Sequence, residues 1–158
     1  MKRSLKFLVL GFGLLALVAC NSGKVRRVSP PAAAIQQLAV QADGSWEVQL
    51  RLNNYSSIPM RFDNVRIQIS VDEHPAGTLQ GAPGLSIGPT SADVVTLTLK
   101  PEAIARMAVA DALAGRRSLG YRLEGAVDAT PEDAKQRSFD VDNRSALAPA
   151  PGLDGVLR

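Results

Sequence analysis

The sequence is short of the residues from which most active sites are built. It has one cysteine and one histidine in 158 residues. A single cysteine excludes an internal disulfide, and with one histidine it argues against zinc ligation. A Ser-His-Asp arrangement would have to use His74. Its neighbours Asp72-Glu73 and Pro75-Ala76-Gly77 read as a turn, so this histidine is expected in solvent. Gly81, Gly84 and Gly88 form neither a GxGxxG nor a GxxxxGK[ST] string, which excludes a phosphate loop there. Asp140-Val141-Asp142-Asn143 lacks the central glycine and closing glutamate of a calcium loop. The pairs Asp72-Glu73 and Glu132-Asp133 fall in turns, with no apolar pocket around them to raise a carboxyl pKa for acid catalysis. No catalytic set, cofactor or metal is expected, and the chain reads as a non-enzyme.

Charge of one sign is also lacking. The formal net charge is +3, and Lys2, Arg3 and Lys6 account for it. These three precede an apolar run from Phe7 to Ala19. Without them, acidic and basic residues balance, and the basic footprint of a nucleic-acid binder is missing. The run is shorter than the roughly 20 apolar residues of a spanning helix, and it fits the core of a secretory signal peptide. It ends in Leu17-Val18-Ala19-Cys20. That string resembles the lipobox of bacterial lipoproteins, whose cysteine receives a diacylglycerol and becomes the acylated N-terminus after cleavage. The resemblance implies that residues 1–20 hold the signal, that 1–19 are removed and that Cys20 is the lipid attachment site. Two or more acyl chains anchor stably at about 0.8 kcal/mol per buried CH₂. The expected location is a bacterial cell envelope, facing the periplasm. Asn21 stands where aspartate favours inner-membrane retention in enteric sorting, so the outer membrane is expected over the inner.

Residues 21–34 have no sustained period and contain Gly23 and Pro30-Pro31, and are expected to be a flexible tether. Beyond them the chain is organised around Trp46 to Val71. Trp46, Val48, Leu50 and Leu52 alternate with polar residues, as do Val65, Ile67, Ile69 and Val71. A period of two places each set on one face of a β-strand. Asp43-Gly44 signals a turn before the first of these strands.

Asn53, Ile58-Pro59-Met60, Phe62 and the alternating strand that follows resemble the signature of the late embryogenesis abundant type 2 domain, also called the water stress and hypersensitive response domain. Gly77-Thr78-Leu79 resembles its hairpin, Ile87-Gly88-Pro89-Thr90-Ser91 its turn, and Val94 to Leu99 its next strand. The sequence departs from the pattern at Asn54 and Tyr55, where the family has Pro and Asn. Asn53, Pro59 and Phe62 are the signature residues carried over, with structural roles. The resemblance implies a fibronectin- or immunoglobulin-like sandwich with an inserted helix, and a link to desiccation and related stress.

The remaining residues lead to the same class. Pro101 to Ala114 reads as the one helix, started by Pro101 and capped near Gly115, with Ile104, Met107, Ala108 and Ala112 as the stripe expected to pack. Leu119 to Val127 and Phe139-Val141 are further strands. The expected fold is mainly β, an immunoglobulin/fibronectin-III-like antiparallel sandwich of about seven strands over residues 35–142, with a flexible Ala/Pro/Gly-rich tail at 143–158. The leading functional expectation is a lipid-anchored envelope protein with a non-enzymatic, stress-protective or chaperone-like domain. Its expected partners are the membrane, through Cys20, and unfolding client proteins. One alternative is a protein-binding module that uses edge strands or the Gly/Pro-rich segment Gly77 to Pro89. Another is a carrier of an apolar ligand, with Trp46 and Tyr121 lining a pocket instead of the core.

Overall fold

The computed structural model describes residues 26–158. The signal segment, the lipobox Leu17-Val18-Ala19-Cys20 and the start of the tether lie outside the described residues. The rest folds as nine strands and one helix: β1 (Ala32–Val40), β2 (Trp46–Asn54), β3 (Met60–Val71), β4 (His74–Gly81), β5 (Leu85–Ile87), β6 (Ser91–Leu99), α1 (Ala103–Ala114), β7 (Leu119–Pro131), β8 (Arg137–Leu147) and β9 (Val156–Leu157). One sheet runs β6-β2-β1-β9. The other runs β4-β3-β7-β8, with β5 also paired to β3. All pairings are antiparallel.

The alternation decides the core as expected. Trp46, Val48, Leu50 and Leu52 of β2 and Val65, Ile67, Ile69 and Val71 of β3 are all buried. Phe62, Met60, Leu79, Leu119 and Leu123 fill the space between the sheets. Each such side chain contributes about 1.5–3 kcal/mol through burial. Among the described residues, no helix is long and apolar enough to cross a membrane.

Four expectations need correction. The tether stops well short of residue 34. Arg26 donates to Asp133 Oδ2 (3.0 Å) and to the Glu132 carbonyl (2.9 Å), and Arg27 N donates to Ser57 Oγ (2.8 Å). β1 then begins at Ala32, with Ala33 buried. The segment reads as loop because hydrogen bonds to distant residues hold it, not an apolar period.

The tail is likewise ordered. β8 runs on to Leu147, and β9 pairs with β1 through Leu38 and Ala39. Leu147 and Leu157 are buried in the core. Ala148 and Arg158 exchange backbone hydrogen bonds, and Val40 N donates to the Gly155 carbonyl at 2.9 Å. Two apolar anchors and a strand edge suffice to hold a segment whose composition is that of a loop.

The sandwich has nine strands, not seven, because Gly77 to Pro89 is mostly paired structure in β4 and β5. Finally, α1 is rolled relative to the expected stripe: Ala112 and the partly buried Ala108 pack inward as expected, but Ile104 and Met107 do not. Ala105, Val109 and Ala112 are buried, whereas Ile104 and Met107 are 61% and 68% exposed. The helix is apolar nearly all round, so periodicity does not select a face. Close approach does: Glu102 N donates to the Ala76 carbonyl of β4 at 3.0 Å, and only small side chains fit between.

The strand directions define two ends. One carries Arg26–Pro31, the Tyr55–Pro59 connection and the turn at Glu132-Asp133. The opposite end carries the turns at Asp43-Gly44 and Asp72-Glu73, α1, and the C-terminal return.

Candidate functional surfaces

The titratable groups are structural in their surroundings. His74 opens β4 and is exposed. Asp72 Oδ1 accepts from Gly120 N at 2.9 Å. On the outer face of the second sheet, Arg122 donates twice to Asp142 (3.1 and 2.9 Å) and lies 2.7 Å from Glu124. The hydrogen bonds from Arg122 hold the Asp142 carboxyl below its usual range and raise the guanidinium in turn.

Asp63 occupies a bulge between Phe62 and Asn64 in the pairing of β3 with β7, and its side chain is only 13% exposed. Partial burial pushes its carboxyl up, but hydrogen bonds from Thr130, Gln136 and Arg61 outweigh this and hold it low. Carboxylates held in this way stay ionised at neutral pH and serve as acceptors, not as proton donors. Among the described residues, no group of three or more His, Cys, Asp or Glu is placed to hold a metal.

The three signature residues separate in role. Phe62 is fully buried. Pro59 lends its carbonyl to Glu132 N at 3.0 Å, tying two connections together. Asn53 is half-buried, and its Oδ1 takes only a 3.4 Å contact from Arg51. The clasp is the neighbouring residue. Asn54 is completely buried. Its Nδ2 lies 2.9 Å from the Ile58 carbonyl, 3.1 Å from that of Ile87 and 2.9 Å from that of Gly88. Its Oδ1 accepts from Ser56 N at 2.9 Å. Asn54 continues the period of Trp46, Val48, Leu50 and Leu52, so a polar residue in the inward phase was the signal that could have found it.

Tyr121 is a second such clasp. Buried in β7, its hydroxyl accepts from Ile35 N at 3.2 Å, at the bulge where β1 pairing slips between Ile35 and Gln37. Both Tyr121 and Trp46 are core residues, and Trp46 Nε1 is buried with no partner. Two clefts, of about 570 and 690 Å³, open on the surface: one between Leu113 and the C-terminal return, the other over Arg66 and Asp128.

Two surfaces stand out for contact. The first is β6, which pairs only with β2 and forms the edge of its sheet. Leu97 and Leu99 lean onto β4, where an added Cβ at Gly77 would lie 2.9 Å from the Leu99 side chain and one at Gly81 would clash with Leu97. Asp93 sits in the inward phase opposite Leu52 yet is exposed, a charge that discourages edge pairing. From Val94 to Leu99 the edge carries neither charge nor proline. The second surface is the outward face of α1, with Ile104 and Met107.

The family model for late embryogenesis abundant proteins, LEA_2, matches residues 49–144, more than half of the chain. The chain belongs to the LEA_2 family. The LEA_2 match runs from within β2 into β8, taking in both sheets and the helix and leaving β1 and β9 outside. No curated protein matches the chain in sequence. A solution structure from Arabidopsis thaliana superposes with a TM-score of 0.50 at 10% identity, covering 82% of this chain and 84% of that one. A solution structure described as a late embryogenesis abundant protein gives 0.48 at 14% identity, covering 94% and 84%. A crystal structure from Archaeoglobus fulgidus gives 0.41 at 16% identity, covering 78% and 98%. Of these three, the first bears on this LEA_2 chain's fold, and none bears on its activity.

Proposed function

We propose that this LEA_2 protein is a lipid-anchored, non-enzymatic component of a bacterial cell envelope that protects labile proteins during water stress. The LEA_2 match across both sheets carries the reading of the domain. The lipobox-like Leu17-Val18-Ala19-Cys20 supports the anchor, the periplasmic side and, with Asn21, the outer membrane. The mode is strand addition. The edge of β6 offers backbone groups to an extended segment of an unfolding client at Thr96 and Thr98, beyond Val94, whose N–H is already donated to Asp93 Oδ1 at 2.8 Å. Asp93 limits the same edge from pairing with another copy.

The domain is dried or freeze-thawed with a fragile enzyme, beside equal masses of an inert protein. Recovery well above the inert control is expected, and Thr96→Lys with Thr98→Lys is expected to lower it without unfolding the domain. Recovery equal to the control refutes protection. The working reading is then an envelope binding module acting through the same edge, for which crosslinking in cells would capture one stoichiometric partner. Cys20→Ala is expected to abolish labelling by a fatty-acid probe, and continued labelling would refute the anchor.

A further inference from the structure

We infer that the end of the sandwich bearing Tyr55 and Arg27 rests on the membrane surface and recognises anionic headgroups, while α1 points away from the bilayer. The inference rests on the lipid-anchored reading of Cys20.

Five residues separate Cys20 from Arg26. At no more than about 3.6 Å per residue, the six steps from Cys20 to Arg26 reach about 22 Å. Arg26 is pinned to Glu132 and Asp133, and the next residues are pinned as well. Ser57 N donates to the Arg27 carbonyl at 3.0 Å, and Ser29 N to Ser56 Oγ at 3.0 Å. The anchor therefore enters at one end of the sandwich and leaves little slack. β2 spans nine residues, about 30 Å, and α1 follows β6 at the far end of that span.

The surface at the near end suits a headgroup layer. Tyr55 is 53% exposed, and a tyrosine with an apolar ring and a polar tip is favoured at membrane–water interfaces. Arg27 lies beside it, its guanidinium 3.5 Å from the Tyr55 carbonyl. The acids at this end are mostly engaged: Glu132 and Asp133 by Arg26, and Asp63 by Arg61. That leaves Asp93 and Asp128 against three cations, Arg27, Lys135 and Arg137, and none of the five has an ion pair among the described residues. Each such cation near an anionic surface contributes about 1 kcal/mol, within a Debye length.

The test uses the full-length lipidated protein in vesicles of phosphatidylethanolamine and phosphatidylglycerol. Lipidation consumes the thiol of Cys20, so an introduced cysteine can be labelled alone. Fluorophores are placed at Ala134→Cys, in the turn after β7 at the same end as Tyr55, and at Met107→Cys on α1, and a headgroup-attached quencher is added. Quenching at 134 is expected to exceed that at 107 several-fold. It is expected to fall when phosphatidylcholine replaces phosphatidylglycerol, or when Tyr55→Ser and Arg27→Ser are combined. Equal quenching at both positions, or stronger quenching at 107, overturns the orientation. Quenching at 134 that ignores lipid charge and the two substitutions overturns the recognition. Failure of fatty-acid labelling overturns the anchor itself, and so separates the failure of the earlier reading from the failure of this one.

Discussion

Replacing Asn54 by alanine is expected to cost about 3 kcal/mol of stability. The side chain is wholly buried and holds together the 54–58 connection and the chain between β5 and β6. Its amide has two hydrogens, so the carbonyls of Ile58, Ile87 and Gly88 share two donors, while Ser56 N relies on its oxygen. Alanine strands one amide and at least two carbonyls. A buried orphan costs about 1–3 kcal/mol, and partial relaxation at this half-buried loop brings the sum to the low end. Trp46 is the only tryptophan and is fully buried, so its emission reports urea unfolding directly. At an m-value of about 2 kcal/mol/M, the midpoint falls by about 1.5 M. Asn53→Ala is the control, expected to cost under about 0.5 kcal/mol because its side chain makes one long contact. Asn54→Asp is expected to be worse than alanine at neutral pH, since a buried carboxylate faces three carbonyls and cannot donate. Its deficit narrows as acid restores an O–H donor. Equal midpoint shifts for Asn53→Ala and Asn54→Ala would refute the assignment of the clasp.

Three further outcomes follow from the same geometry. Gly125→Ala is expected to cost more than about 3 kcal/mol or to prevent folding, because the new Cβ would overlap the Arg66 carbonyl and lie 2.9 Å from Ile67 Cα in the adjacent strand; soluble yield and urea midpoint report it. Arg116→Gly is expected to raise stability by about 0.5–1 kcal/mol. Arg116 ends the helix at φ 49, with its N–H and that of Arg117 bonded back to Leu113 and Ala112, and glycine takes that conformation without a Cβ penalty. Asp63 is held low when folded, so its contribution is present above the unfolded pKa of about 3.9 and is lost as pH falls through the folded value. As pH falls from 7 into the acid range, the wild-type urea midpoint should therefore fall further than that of Asp63→Asn, and parallel losses would refute the sign.

The division of information between sequence and fold can be read at particular residues. Trp46 to Leu52 and Val65 to Val71 declare their inward faces because a strand has one period and two sides, and nothing distant can change which residues share a side. The same rule, carried two residues past Leu52, would have found Asn54, whose polar side chain stands in the inward phase of β2. The helix at 103–114 was legible from Pro101 and Gly115, but its inward face was not. A helix apolar nearly all round, broken only by Arg106 and Asp111, leaves that choice to the surface it meets, and the residues it buries there are Ala105, Val109 and Ala112.

The sequence alone thus determined the strand faces, the main turns and the lipobox-like string, because each is a local relation between neighbours. Tertiary structure alone decided the rest. It ordered Arg26–Pro31 against residues 55–57 and 132–133, and it returned Leu157 to the edge of β1. It set Tyr121 under the bulge at Ile35, and it drew three carbonyls around Asn54. All but the Asn54–Ile58 bond join residues far apart in the chain. For Tyr121 and Asn54 the energy comes from satisfying buried backbone groups, a demand that exists only once the sheets have closed and excluded water.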